Sequence, residues 1–307
     1  MGTPDFAVPS LEALFDSGYE IVAVYTQPDK EAGRGHHVAA SPIKELALSR
    51  GLKVVQPETL KDSNVVSYVA SLSPDLIVVA AYGRIITSEI LNLPEFGCLN
   101  VHPSLLPYYR GSSPVATAIM RGDEVTGVTI MLLDKGMDTG PILAQENVSI
   151  SAEDTTGSLT AHLAQVGAQL LIKTLPEWLE GKITPQPQDE TKASYTKTIS
   201  KEDGELDWHL TALELWRRIK AFDPWPGCYT WWQGKRLKIN QAVPLPGEKA
   251  GEVGRVVALT QGAKAPIGVE TRDGILGLIR VQLEGKRVVS AGEFVRGQRN
   301  FVGSNLL

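Results

Sequence analysis

The strongest constraint on the fold is an alternation of short apolar runs with helix-compatible stretches in the first half of the 307-residue chain. Strands and helices that alternate in this way predict a parallel sheet covered by helices on both faces. Ligands of such sheets bind outside the carboxyl ends of the strands. We therefore expect an α/β, doubly wound, mostly parallel sheet. The predicted strands are 21–25, 76–80, 98–101 and 128–132, and the predicted helices are 9–17, 42–50 and 158–175.

The pattern changes towards residue 200. The polar stretch 184–200 has the composition of a linker, and it follows a helix that we expect to end before Pro176. After a predicted helix at 212–222, short strands alternate with glycine-rich turns, which is typical of a small β-barrel. We expect two domains, 1–183 and 201–307, with the linker 184–200 between them. The strands of the second domain are predicted at 228–232, 237–242, 254–259, 267–270 and 274–281.

Composition excludes several classes of protein. The chain is 43% hydrophobic and 21% charged, as in ordinary globular proteins and unlike disordered chains. Apolar runs are too short to cross a bilayer, and the N-terminus lacks the pattern of a secretory signal, so we expect a cytoplasmic protein. Cys98 and Cys228 have neither the number of a disulfide framework nor the spacing of metal ligands.

The two halves of the chain differ in charge. Residues 1–200 carry 14 basic and 23 acidic side chains, a net charge of −9, and residues 201–307 carry 16 and 12, a net charge of +4. A basic second half is compatible with a polyanionic partner. A solvated surface with a chance imbalance explains the charge alone more simply, so the motifs must decide.

The most informative segment is CLNVHPSLLP at 98–107, in which an apolar strand carries two polar residues at alternate positions. Because side chains alternate along a strand, Asn100 and His102 share one face. Acyl transfer to an amine needs an amide that steadies the developing oxyanion and an imidazole that moves the proton of the amine. Asn-x-His alone is more often a structural pair than a catalytic one.

A second segment, LDKGMDTGPI at 133–142, follows another apolar strand and carries two aspartates in a glycine-punctuated loop. Asp138 is the candidate partner of His102. A carboxylate near an imidazole favours its protonated form and fixes its tautomer, which suits proton transfer near neutral pH.

Both segments, in this order and spacing, resemble signatures of the folate-dependent formyltransferase family. The resemblance covers nearly the whole chain. It implies a Rossmann-like formyltransferase domain followed by an OB-like β-barrel, with 10-formyltetrahydrofolate as formyl donor and no metal. Seven further segments resemble the family members that act on initiator methionyl-tRNA: GTPDFA (2–7), QPD (27–29), AGRG (32–35), SPIK (41–44), DW (207–208), IKAFDPWPG (219–227) and LKI (237–239).

By this resemblance Asn100, His102 and Asp138 match the catalytic residues of the family. The oxyanion would be held by Asn100 and His102, and His102, assisted by Asp138, would pass a proton to the departing folate nitrogen. The segment that matches the tetrahydrofolate-binding loop consists of Ser104, Leu105, Leu106 and Pro107.

The resemblance also suggests contacts with tRNA. Arg34 and Lys30 lie in a segment, 29–41, that matches the loop meeting the acceptor end of tRNA. Arg217 and Lys220 belong to a basic group expected to contact phosphates, although a solvated surface explains each of them equally well. The adjacent histidines at 36 and 37 lack partners at metal-ligand spacing, so we expect no metal there.

One departure concerns the start of the sheet. In the resembled family a short apolar strand precedes Gly-Thr-Pro-Asp-Phe, whereas here Met1 stands directly before that segment, so we expect the first strand to be missing. Loss of a central strand would expose strand edges and remove core.

Several alternatives remain open at this stage. A formyltransferase acting on a sugar-nucleotide amine or on glycinamide ribonucleotide would share the same three residues, and a hydrolase would release formate. A non-catalytic RNA-binding module is the alternative outside enzymes. We expect a monomer.

Overall fold

The computed structural model describes residues 1–32, 37–245, 251–260 and 264–306. Contacts divide the chain into two compact units: unit 1 comprises 1–114, 124–150 and 158–197, and unit 2 comprises 115–123, 151–157 and 198–307. The predicted linker belongs to unit 1 as far as residue 197. The predicted domain boundaries stay a prediction.

The first 197 residues contain the following elements. The strands are β1 (Val24–Tyr25), β2 (Lys30–Ala32), β3 (His37–Ala39), β4 (Val54–Val55), β5 (Ile77–Val79), β6 (Cys98–His102), β7 (Arg110–Gly111), β8 (Val125–Leu132), β9 (Ile142–Ser149) and β10 (Tyr195–Thr196). The helices are α1 (Val8–Asp16), α2 (Pro42–Ser49), α3 (Ser63–Ser71), α4 (Ser88–Leu91), α5 (Pro114–Arg121) and α6 (Thr156–Leu179).

The sheet of unit 1 is mixed rather than mostly parallel. β1 pairs in parallel with β4, and β5 pairs in parallel with β6. β8 pairs antiparallel with both β6 and β9. The prediction of an α/β sheet is confirmed, but β8 enters the sheet antiparallel to β6 after α5, and the short loop 133–141 returns the chain as β9, antiparallel to β8.

The position expected for the first strand is taken by Met1 and Gly2. The N–H of Gly2 donates to the Tyr25 carbonyl at 3.0 Å, and the N–H of Ala80 donates to the Met1 carbonyl at 2.9 Å, so this dipeptide joins β1 to β5. The terminal ammonium of Met1 donates to the Val78 carbonyl at 2.6 Å. Beside it lies a cavity of about 440 Å³, whose walls include Leu11, Tyr19, Ile21, Val24, Leu76 and Leu179.

Helix α6 continues past the end that the sequence predicts. Pro176 lies inside the helix, which runs on to Leu179. The missing N–H of a proline in the last turn removes only one helical hydrogen bond, and the indole N–H of Trp178 anchors this turn by donating to the Phe96 carbonyl at 3.0 Å. The prediction that the helix ends before Pro176 is therefore wrong.

Unit 2 is dominated by a curled antiparallel sheet. Its strands lie in the order β11-β12-β15-β14-β13, with β16 also paired to β15. Register shifts in the middle of β12, on either side of Gln241, bend that long strand, as β-bulges do. The elements of the chain after residue 197 are α7 (Ala212–Ala221), β11 (Cys228–Trp232), β12 (Lys235–Leu245), β13 (Val256–Ala258), β14 (Ile267–Glu270), β15 (Ile275–Leu283), β16 (Val289–Ser290) and α8 (Ala291–Gly297).

Aromatic side chains fill the core of unit 2. Trp232, Phe294 and Phe301 pack edge to face with ring centroids 4.9–5.8 Å apart, and Trp208 is buried. Trp225 is 52% exposed because it lies in the turn after α7 rather than on a strand. None of the helices in the described residues is both long and apolar enough to cross a bilayer.

Candidate active site

Strand β6 delivers two polar side chains to one face of the sheet. Asn100 and His102 are only 8% and 4% exposed, and the strand that carries them is paired on both sides, with β5 and β8. Within the part of the chain that the structure describes, the Asn100 amide has no hydrogen-bond partner. The amide nitrogen and oxygen still reach solvent, so the two donors of Asn100 are available to a bound ligand group.

The loop after β8 has its shape set by its own aspartates and glycines. Asp134 Oδ1 accepts from the N–H of Gly136 at 2.9 Å and from the Thr139 hydroxyl at 2.7 Å. A Cβ on Gly136 would lie 1.9 Å from the Thr139 hydroxyl oxygen, so only glycine fits there. This turn presents Asp138, whose φ of +54° lies in the left-handed region that few non-glycine residues adopt.

The turn brings Asp138 to His102. Asp138 Oδ2 lies 3.7 Å from His102 Nδ1 and accepts from the N–H of Gly111 at 2.7 Å. His102 Nε2 lies 3.2 Å from the Tyr109 carbonyl oxygen. Because a carbonyl can only accept, Nε2 carries a proton, and in the neutral ring the lone pair of Nδ1 faces the carboxylate.

Burial and charge act on His102 in opposite directions. Burial lowers the pKa of its imidazole below the usual 6.5, and the Asp138 carboxylate and the Tyr109 carbonyl each oppose part of that shift. The ring is therefore neutral near pH 7, with a carboxylate beside it that stabilises the imidazolium once a proton arrives. The structure brings Asp138 to His102 and places Asn100 two positions before that histidine on β6, an arrangement suited to proton transfer and oxyanion stabilisation.

Hydrogen bonds of buried residues hold the predicted folate-binding loop in place. Ser104 is buried and its hydroxyl donates to the Tyr108 carbonyl at 2.6 Å. Leu106 is also buried, and its N–H donates to the Thr129 hydroxyl at 3.1 Å. Leu105 and Pro107 are partly exposed. Two of the four predicted residues therefore hold the loop, and the other two offer apolar surface.

A polar cluster that the sequence does not single out adjoins Asp138. Arg110 is fully buried and donates to Gln188, Glu190 and the Tyr195 hydroxyl. Glu190 most of all, and Tyr195, raise the pKa of Arg110 against the opposing effect of burial. The segment 184–197 was predicted as a linker because its polar composition gives no sign that it covers a buried arginine.

The predicted tRNA-binding residues differ in what surrounds them. Arg34 lies outside the described residues, and Lys30 begins β2. On α7, the ammonium of Lys220 lies 3.8 Å from the ring centroid of Trp216 and donates to the Ala152 carbonyl at 3.0 Å. Partial burial lowers the pKa of Lys220. Arg217 reaches the Arg121 carbonyl, at 3.4 Å.

The cysteines and the cavity beside Met1 have no role in the proposed chemistry. Cys98 and Cys228 are free and buried, and burial raises the pKa of each thiol to about 12. Asn100, His102 and Asp138 do not line the cavity beside Met1. Among the described residues, no group of three or more histidine, cysteine or acidic side chains is arranged to hold a metal ion.

Family models match both parts of the chain. The formyl transferase model matches residues 1–175, and the model of the formyl transferase C-terminal domain matches residues 198–299. The chain belongs to the formyl transferase family.

Within that family, the chain is similar to enzymes named methionyl-tRNA formyltransferase. It is 46% identical to the one from Chloroflexus aurantiacus, over 97% of this chain and 95% of the relative. It is 47% identical to the one from Roseiflexus castenholzii, over 100% of this chain and 97% of the relative.

Solved structures share the fold at lower identity. WlaRD, a sugar 3N-formyl transferase crystallised in the presence of dTDP and 5-N-formyl-THF, superposes with a TM-score of 0.65 at 21% identity, covering 93% of this chain and 97% of that chain. HypX from Aquifex aeolicus in complex with tetrahydrofolic acid gives a TM-score of 0.59 at 21% identity, covering 83% and 44%. At this identity the likeness concerns the fold alone.

Proposed function

We propose that the protein transfers the formyl group of 10-formyltetrahydrofolate to the α-amine of methionyl-initiator tRNA. The observation that carries this proposal is the Asn100 amide, nearly buried and without a partner among the described residues, two positions before a histidine that faces a carboxylate. The relatives named methionyl-tRNA formyltransferase, at 46–47% identity over nearly the whole chain, support the choice of acceptor.

Each residue of the site has a distinct role in this reaction. The formyl donor supplies a carbonyl carbon for the amine to attack, and N10 of the folate leaves. Asn100 donates to the oxygen that gains negative charge, a contribution of about 10²- to 10³-fold for one such donor. His102 takes the proton of the attacking amine at Nδ1 and returns it to the departing nitrogen, so no net proton is consumed. Asp138 stabilises the imidazolium between these two transfers.

The residues present fit a folate beside this group. Leu105 and Pro107 offer apolar surface at the end of β6, while Ser104 and Leu106 keep their loop in place. A flat heterocycle needs such apolar cover together with a few polar groups that fix its orientation. We assign Leu105 and Pro107 to direct folate contact, and Ser104 and Leu106 to support of the loop.

For the acceptor we keep the residues that the sequence suggests. Arg34 and Lys30 are proposed to meet the acceptor end of the tRNA, and Arg217 and Lys220 its phosphates. We also propose that the curled sheet of unit 2 is an OB-like barrel that binds tRNA, that 1–183 and 201–307 act as the two functional domains, and that the enzyme is a cytoplasmic monomer.

The test is formylation of methionyl-initiator tRNA with 10-formyltetrahydrofolate, followed on acid gels that separate formylated from free aminoacyl-tRNA. His102→Ala is expected to lower the rate by about 10²- to 10⁴-fold. His162→Ala is the matched control, because His162 is exposed on α6 and its loss is expected to leave the rate unchanged.

Other outcomes would redirect the proposal. Formylation of a sugar-nucleotide amine instead of the tRNA would keep the chemistry and overturn the acceptor. Formate release that needs no amine would indicate a hydrolase. Binding of tRNA with no formyl transfer to any amine would indicate an RNA-binding module.

A further inference from the structure

A buried arginine lies next to the proposed catalytic residues without being one of them. Arg110 has all five of its N–H donors occupied. Nε and Nη2 donate to Gln188 Oε1 at 3.0 and 2.9 Å, and Nη1 and Nη2 donate to the two oxygens of Glu190 at 2.9 and 2.7 Å. The remaining donor, on Nη1, reaches the Tyr195 hydroxyl at 2.8 Å. Such a guanidinium is held in a single orientation.

The orientation of Arg110 determines that of the Gln188 amide. Because Oε1 of Gln188 accepts from Arg110, its Nε2 must point the other way, where it donates to the carbonyl oxygens of Asp138 at 2.8 Å and Gly140 at 2.7 Å. A flipped amide would set donors against donors on one side and oxygens against oxygens on the other. All hydrogen-bonding groups of this amide are thus used, and two of them hold the turn that carries Asp138.

That turn needs support. Asp138 has a φ of +54°, and non-glycine residues stay in this region only where their surroundings impose it. A Cβ on Gly140 would lie 1.9 Å from the Leu132 carbonyl oxygen, so the turn is also packed closely against the end of β8. From the other side, the N–H of Gly111, the residue after Arg110, donates to Asp138 Oδ2.

We propose that Gln188, held by Arg110, is a positioning residue that aims the Asp138 carboxylate at His102 Nδ1. Three segments distant in sequence meet in this chain of hydrogen bonds, 102–111, 138–140 and 188–195. The consequence for catalysis rests on the proposed function. The positioning itself is a property of the protein without substrate, and it is measurable there.

The test compares Gln188→Met with the natural protein. Methionine has a similar length and no charge, but it cannot donate to the two carbonyls. The titration of His102, followed by NMR of labelled histidine and assigned with His102→Gln, is expected to move to lower pH because the carboxylate that favours its protonated form is no longer aimed at it. The kcat for formyl transfer is expected to fall about 10- to 100-fold, with KM within about threefold, since small misplacements near reacting groups cost up to about 10²-fold.

The control is Gln186→Met, the same change two residues earlier. The Gln186 amide is exposed and donates to the Thr184 carbonyl, so neither the His102 titration nor kcat should change. A double-mutant cycle with Asp138→Asn separates positioning from general damage. If Gln188 acts through the Asp138 carboxylate, Gln188→Met should have little further effect once that carboxylate is absent. In the Asp138→Asn background it should change kcat less than about twofold and leave the midpoint of the His102 titration nearly unchanged.

The inference is overturned if Gln188→Met leaves the His102 titration unchanged, or if it lowers kcat equally in both backgrounds. Gln188→Asn, which keeps the amide and draws it back by one methylene, replaces the methionine variant if that variant does not fold. A protein that formylates no tRNA, yet shows the shifted titration in Gln188→Met, would refute the proposed function and leave the positioning role standing.

Discussion

At the scale of single residues, the chemistry of the site depends on a proton that burial and charge pull in opposite directions. Burial keeps His102 neutral, which a base requires, and Asp138 limits the resulting drop in its pKa. A neutral imidazole accepts a proton from an amine, and a carboxylate at 3.7 Å stabilises the product of that transfer. Neither group alone provides both properties.

This balance predicts the pH dependence of Asp138→Asn. Because Asp138 raises the pKa of His102, its removal should lower that pKa further, so the acid limb of the rate moves to lower pH while the rate itself falls by about 10²-fold or more. The natural enzyme should lose activity below pH 6.5, where His102 becomes protonated, and the variant at lower pH still. The measurement is kcat between about pH 5 and 8 with both substrates saturating. The α-amine of the substrate titrates in the same way for both enzymes, so a difference in pH between their acid limbs reports on His102.

Asp134→Asn provides the control for that experiment. Asp134 lies in the same loop, and asparagine keeps an oxygen that can accept from Gly136 and Thr139. Its acid limb is expected to coincide with that of the natural enzyme. A limb that moves upward in Asp138→Asn would show that the carboxylate does not raise the pKa of His102.

At the scale of secondary-structure elements, strand β8 packs closely against both β9 and the proposed folate loop at a glycine. A Cβ on Gly127 would lie 2.2 Å from the Glu146 carbonyl oxygen in β9 and 2.5 Å from Leu105 Cδ2. Gly127→Ala is therefore expected to lower the free energy of unfolding by about 1–3 kcal/mol and to raise KM for the folate several-fold by displacing Leu105. Chemical denaturation and steady-state kinetics measure the two effects.

Gly297→Ala is the matched substitution, because a Cβ on Gly297, at the end of α8, meets no atom within 4 Å. It should leave both quantities nearly unchanged. A Gly127→Ala enzyme with normal stability and normal KM would mean that β9 and Leu105 give way at no cost.

Elements with a strong apolar pattern are those that the sequence predicts well. The pattern at 228–232 and 267–270 coincides with β11 and β14, and strand alternation predicts that Asn100 and His102 share a face. Strand β9 has no such signal, because most of its side chains are exposed or half-buried. Gln188 is missed for a related reason: its role depends on Arg110, 78 residues earlier, and no local pattern encodes that hydrogen bond.

Strand β12 offers a surface for the proposed binding of tRNA. Arg236 and Lys238 are exposed and share its outer face, because Leu237 between them is buried. The double substitution of both residues to alanine is expected to weaken tRNA binding. It should also reduce the slope of log K against log salt by about 0.7–0.9 for each phosphate that the protein no longer neutralises.

Fluorescence anisotropy at salt concentrations from roughly 50 to 200 mM measures that slope. Lys173→Ala is the control, because Lys173 is exposed on α6, away from strand β12 in the sequence, and it should leave the slope unchanged. An unaltered slope in the double variant would remove β12 from the tRNA interface.

At the scale of the whole molecule, the amino group of Met1 makes the stability of this 307-residue chain depend on pH. Burial lowers the pKa of this group to about 5 from 8.0. The Met1 amino group of the unfolded chain is therefore protonated below pH 8, whereas in the folded protein it becomes protonated only at about pH 5. This group therefore costs no stability above pH 8, and its effect lowers stability as the pH falls through this window, by an amount on the order of 4 kcal/mol.

An extension placed before Met1 tests this dependence and the cavity together. Four added residues, Met-Ile-Val-Ile, would move the ammonium away from the Val78 carbonyl and place apolar side chains in the adjoining cavity of about 440 Å³. We expect a higher free energy of unfolding, by about 1.5–3 kcal/mol for each side chain that becomes fully buried, and a weaker dependence on pH between about 5 and 8, because the buried His102 still contributes to it. A Met-Gly-Ser-Gly extension also moves the titrating amino group out of its buried site but cannot fill the cavity, so it should weaken the pH dependence with a smaller gain in stability. Denaturant titrations of the three proteins at several pH values measure both effects. Equal stability of the two extended proteins would exclude filling of the cavity. An unchanged pH dependence in both would show that the Met1 amino group is not the source of the pH dependence.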